Sequence, residues 1–174
     1  MNRVKFYVED VAHRELVLVL TKVSRKQVRF KGMCKTKVLK ALIEESKEYI
    51  AGVVDEDPDK SQPPLLRNFE EFANDERANI RILRLNEAKL IILRPRVEEW
   101  ILEVARNSGL DVKKYGLHED AEKLHRHLKP SRREILNRFR TFVEDLADKH
   151  ELRTLLSFLQ NVAKLRKPSP SGRG

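Results

Sequence analysis

Cysteine occurs once in the 174 residues, at Cys34. A lone thiol excludes a disulfide framework within the chain and any zinc site built on cysteine pairs. Glycine occurs six times, and no Walker loop, Gly-x-Gly-x-x-Gly or Gly-x-Ser-x-Gly is present. A glycine-rich cradle for phosphates and a nucleophile elbow are thereby excluded. Aromatic residues are 6% of the chain and tryptophan is single, so Trp100 is expected in the core rather than stacked on a base. Long apolar runs are missing as well. Charges interrupt every hydrophobic stretch, so no segment reaches the length of a membrane span and the N-terminus lacks a signal-peptide pattern. A cytoplasmic location is the expectation.

Charge is what the chain has in abundance. Charged residues make up 36%, well above the usual quarter. Such a balance, with only two methionines, resembles that of thermophile proteins. Lysine and arginine exceed aspartate and glutamate by 36 to 27, a net charge of +9. An excess of that size favours a polyanionic partner, with nucleic acid the first candidate. The stretch 22–40 carries no acidic residue at all. Arg25, Lys26, Arg29, Lys31, Lys35 and Lys37 are therefore the candidate nucleic-acid face. Over 131–166 the basic residues alternate with acidic ones and read as solvated helix faces.

Hydrophobic periodicity predicts a β/α alternation followed by helices. A strand is expected at 3–8, a helix from Asp10 to Ser24, a short strand at 28–31, a helix at 37–48 and a strand at 49–54. Residues 55–64, with three prolines, read as a loop. A short helix is expected at 65–74, then a hairpin of strands 80–85 and 89–93 around Asn86-Glu87. Pro95 opens a helix to Arg106, ended by Gly109. Three more helices are expected at 118–128, 131–149 and 151–166, the second with a Ser131/Glu134 capping box. The fold class is α/β: an open sheet flanked by helices at 1–108, a C-terminal all-helical extension at 109–167 packed on the same core, and a disordered tail at 168–174.

Two apolar runs end in carboxylates. Lys5-Phe6-Tyr7-Val8 leads to Glu9-Asp10, and Tyr49-Ile50-Ala51-Gly52-Val53-Val54 leads to Asp55-Glu56-Asp57. Sites in open α/β sheets lie at the carboxyl ends of the strands. Clustered there, Glu9, Asp55 and Asp57 repel one another unless a cation sits among them, and oxygen donors suit Mg²⁺ or Mn²⁺. The alternative is a solvated acidic loop in which Asp10 and Asp55 serve as caps. His13 stands one helical turn beyond Glu9, as a metal ligand, a proton carrier or a polar residue at a helix start. Glu98 and Glu99 sit in a first helical turn, where the helix dipole also favours them. His118, His125 and His127 lack the spacing of a zinc site and read as a surface helix end.

Val8-Glu9-Asp10, Asp55-Glu56-Asp57 and their strand contexts resemble the Toprim fold of primases, topoisomerases, recombination-linked proteins and OLD-family nucleases. Glu98-Glu99-Trp100-Ile101-Leu102 is similar to a Glu-x-Trp segment in small proteins related to the OLD nucleases, so the resemblance covers about residues 3–105. It implies catalytic roles for Glu9, Asp55 and Asp57, which would hold Mg²⁺ or Mn²⁺, with Glu98 as an outer-shell or second-metal carboxylate; His13 as a further catalytic candidate and Asp10 as a further ligand come from the residues themselves. Two positions depart from the family pattern. Asp10 replaces a glycine and either adds a ligand or disturbs the turn, and His13 stands where nuclease-like members often have an acid. Hydrolysis of a nucleic-acid phosphodiester is the activity implied, beside a separate ATPase or other partner chain. The alternatives are a non-catalytic nucleic-acid-binding or adaptor protein with an incomplete site, and a small-molecule phosphohydrolase.

Overall fold

A computed structural model describes residues 4–30 and 34–164. Six strands form one mixed sheet: β1 Lys5–Val8, β2 Val28–Arg29, β3 Ile50–Asp55, β4 Glu70–Asp75, β5 Ile80–Leu85 and β6 Ala88–Leu93. Their order is β2-β1-β3-β6-β5-β4. The first four in that order run parallel, and β5 and β4 are antiparallel to their neighbours. Among the described residues six α-helices accompany it: α1 Val11–Thr21, α2 Lys35–Glu44, α3 Val97–Asn107, α4 Ala121–Leu128, α5 Arg133–Leu146 and α6 His150–Lys164. None among the described residues is long and apolar enough to cross a membrane.

The central strands are covered on both faces, as parallel β/α units require, and every residue of β3 is buried. Alternation sorts its side chains. Ile50 and Val54 join Val38, Leu39 and Leu42 of α2 on one face. Ala51 and Val53 join the larger cluster on the other, with Leu16 and Val17 of α1, Ile101 of α3 and Phe139 and Phe142 of α5. Helices α5 and α6 lie against α1, so the C-terminal helices share the core of the sheet. Gly52 is dictated by this packing: a Cβ there would lie 2.7 Å from Val38 and 2.9 Å from Leu42.

The hairpin expected around Asn86-Glu87 is present, with Leu85 opposite Ala88 and Asn86 at φ 52. Gly109, at φ 73, closes α3, with the Leu110 N–H reaching Ala105 O at 2.9 Å. Three expectations fail. The helix at 65–74 is instead a 3₁₀ turn, Pro64–Asn68, followed by β4. Leu65, Leu66 and Phe69 imitate a helical stripe, while β4 is an edge strand exposed on most of its length. It is tied to β5 by the Glu71–Arg81 and Glu70–Arg84 ion pairs. Ser131 makes no capping box: it sits at φ 57, and Arg132 is the N-cap of α5 with no side-chain cap bond. The helix after Pro95 begins two residues later, with Arg96 as its N-cap. The tail at 168–174 lies outside the described residues.

Candidate metal centre

Parallel strands β1, β3 and β6 present their carboxyl ends at one edge, and each continues into a residue that reaches its neighbour. Glu9 follows β1. Its N–H bonds Val53 O at 3.3 Å and its Oε2 accepts from the Asp55 N–H at 2.9 Å. Asp10, in extended conformation, caps α1 by accepting from the His13 N–H at 3.3 Å. That cap sets the first turn of α1 over the sheet edge and carries His13 inward. The alternation of β3 points Asp55 toward the same face, after Ala51 and Val53.

His13 is fully buried between two carboxylates. Its Nδ1 lies 2.9 Å from Asp10 Oδ1 and its Nε2 2.9 Å from Asp55 Oδ1. Asp55 Oδ1 also accepts from the Val97 N–H at 2.8 Å, which pins the start of α3 to β3. With both ring nitrogens facing carboxylates, each is a donor and the ring is an imidazolium. Burial alone would lower the pKa of His13, but Asp10 and Asp55 outweigh it and hold it well above the ordinary value. In the same way His13 overcomes the burial of Asp10 and holds it down at about 2. Glu9 behaves oppositely. Burial, with Asp55 and Asp57 nearby, outweighs His13 and raises it to about 7.

A second group adjoins the first. Glu98, in the first turn of α3, is 4% exposed, and its Oε1 lies 2.8 Å from Nδ1 of His125 on α4. The same nitrogen is 3.8 Å from Asp10 Oδ2. Burial raises Glu98 above its usual value, and the bond to Glu98 raises His125. Two sets of donor atoms thus each fall within 4.8 Å of one another: Glu9, His13 and Asp55, and Asp10, Glu98 and His125. Both groups border a cavity of about 550 Å³. Nitrogen and oxygen donors together fit Mn²⁺ or another transition ion better than Mg²⁺, which favours an all-oxygen shell. With Nε2 on a metal, the Asp10 bond to Nδ1 would fix the ring's tautomer and orientation.

Asp57 lines the cavity outside both groups. It is surrounded by cations: Arg96 Nε at 3.1 Å, Lys35 Nζ at 3.4 Å and Lys60 Nζ at 3.9 Å. Lys35 is consequently 8% exposed, and it also donates to Glu56 O and Gln62. It belongs to this centre rather than to a surface face. Arg25, Lys26, Arg29 and Lys37 are exposed, while Lys31 lies outside the described residues. Trp100 is core, with its indole N–H donating to Ala78 O at 2.7 Å.

Three participants escaped the sequence reading, and Lys60, in the loop after β3, gave no signal beyond its charge. His125 looked like a helix end because residues 125 and 127 do not share a face, and the packing of α4 on α3 is what brings it to Glu98. Arg96 carried only the weak signal of a cation at a strand-to-helix junction. No family model matches the chain, and no curated protein or solved structure matches it.

Proposed function

We propose that the protein is a divalent-cation-dependent phosphodiesterase acting on nucleic acid, built on a Toprim-like sheet. The convergence of Glu9, His13 and Asp55 at the carboxyl ends of β1 and β3 carries this reading. Three potential ligands from two strand ends and one helix start are already within coordination reach of one another. The basic excess supports a polyanionic substrate. A small phosphorylated molecule would need only a few cations.

In this reading Glu9, His13 and Asp55 hold the cation, and Mn²⁺ is the preferred one. When bound, it supplies a Lewis acid for a phosphoryl oxygen. Asp10 orients His13 through Nδ1. His125, whose pKa the bond to Glu98 raises, borders the cavity as a proton donor for a departing oxygen. Arg96 and Lys60, paired with Asp57, line the same cavity and add positive charge for a phosphate.

One observation favours a second reading, a non-catalytic nucleic-acid-binding protein. The His13 imidazolium already bridges Asp10 and Asp55 and offsets part of their charge, taking a place a metal ion could fill. Incubation of labelled single- and double-stranded DNA and RNA with Mn²⁺, with Mg²⁺ and with EDTA separates the two. Cleavage is expected with Mn²⁺, abolished by EDTA and by Asp55→Asn. Binding without cleavage under every condition would favour the non-catalytic reading.

A further inference from the structure

Glu15, two residues beyond His13 on α1, is fully buried. A buried carboxylate is normally balanced by one cation. This one holds three guanidinium groups from three different elements. Arg14 of α1 reaches Oε1 at 3.1 Å, Arg25 of the 3₁₀ turn preceding β2 reaches Oε1 at 3.4 Å, and Arg140 of α5 reaches Oε2 at 2.6 Å. Three positive charges on one negative leave two uncompensated. The imbalance is local and fixed, because Glu15 cannot turn away into water. Arg25 and Arg140 are 54% and 30% exposed, so their free N–H groups face solvent.

The cluster also abuts the metal centre. The Arg14 guanidinium lies 5.3 Å from the centre of the Phe30 ring. Phe30 lines a cavity of about 340 Å³ with Glu9, Asp10, Glu98, His125 and Lys129. Phe30 thus joins the cavity of the carboxylates to Arg14, and Glu15 joins Arg14 to Arg25 and Arg140. Guanidinium forks match phosphate oxygens in geometry and in charge.

We infer that Arg14, Arg25 and Arg140, organised by Glu15, form a backbone-phosphate subsite for a nucleic-acid strand whose neighbouring phosphodiester lies at the metal centre. This rests on the nucleic-acid reading of that centre and adds where the strand leaves it. Glu15 is a positioning residue, since it aims the guanidiniums and does not meet the strand.

The test is the salt dependence of binding of a fluorescein-labelled single-stranded oligonucleotide, read by anisotropy in EDTA so that nothing is cleaved. For a single strand, each phosphate the protein no longer neutralises makes the slope of log K against log [salt] shallower by about 0.7. Arg25→Gln is expected to reduce the slope by about 0.7 and Arg25→Gln with Arg140→Gln by about 1.4. Arg106→Gln, which removes an equally charged residue paired with Glu103 on α3, is expected to change it little. A wild-type slope in both cluster variants overturns the subsite, as does an equal loss in Arg106→Gln or no oligonucleotide binding by the wild type. A purely structural cluster would lower the melting temperature and leave the slope alone. Mn²⁺ titration of the same proteins keeps the two claims apart. Slope loss in variants that retain Mn²⁺ affinity supports the subsite, and slope loss in a protein that never binds Mn²⁺ supports it while removing the metal centre.

Discussion

Replacing His13 by alanine separates a metal ligand from a resident cation. The ring is fully buried and each nitrogen sits 2.9 Å from a carboxylate oxygen. Without it, Asp55 and Asp10, with side chains 9% and 22% exposed, lose their shared counter-charge. Removing one member of a buried ion pair costs about 3–5 kcal/mol. Asp10 borders the cavity and takes up water, and Asp55 keeps the Val97 N–H, so the lower end applies, about 3 kcal/mol. Urea unfolding in EDTA at pH 7 measures it. A cost below about 1 kcal/mol would refute the buried imidazolium network. Mn²⁺ titration of the same variant tests the ligand role. Loss of a donor should weaken Mn²⁺ by at least about tenfold. Tighter Mn²⁺ binding by the variant would refute that role, because it would show His13 competing with the ion.

Glu9 makes the stability of the ion-free protein depend on pH. Its pKa is raised from 4.5 to about 7 in the fold, so the folded state holds a proton that the unfolded chain releases. That contribution is complete below pH 4.5 and is lost as pH rises through about 7. In EDTA, Glu9→Gln should match the wild type near pH 4 and exceed it by about 2–3 kcal/mol at pH 8; parallel pH profiles would contradict this. For the wild type, Mn²⁺ affinity should rise from pH 6 to pH 8, since binding expels protons from Glu9 and His13, and calorimetry in buffers of different ionisation enthalpy counts them. Gly52→Ala should cost about 1–3 kcal/mol by forcing α2 off β3, seen as a lower urea midpoint. Glu15→Ala should cost about 3–5 kcal/mol by leaving Arg14, Arg25 and Arg140 without their buried anion, and restoration of stability by high salt would show that repulsion is the cause.

Glu9 and Asp55 were readable in the sequence because a short apolar, strand-like run stops just before each acidic signature, and parallel strands bring such ends together. His13 was readable from its place in the first turn after Asp10. Strand β4 was not: an exposed edge strand carries little alternation, and the neighbouring Leu65, Leu66 and Phe69 imitate a helix. The cations around Asp57 come from α2, the loop after β3 and the junction before α3, so only the fold assembles them. His125 likewise depends on how α4 packs on α3, which no local pattern encodes. The pairing of Glu15 with Arg140 joins α1 to α5 across most of the chain, and nothing in either helix announces it.

Mn²⁺ calorimetry on the wild type and on Glu9→Gln with Asp55→Asn bears most directly on the metal centre. Both substitutions keep side-chain shape while removing charge, and urea unfolding of the double variant checks that it is folded. Saturable binding by the wild type that disappears in the double variant is the predicted outcome. No binding by the wild type, or equal binding by both proteins, would contradict a divalent-cation site at the ends of β1 and β3.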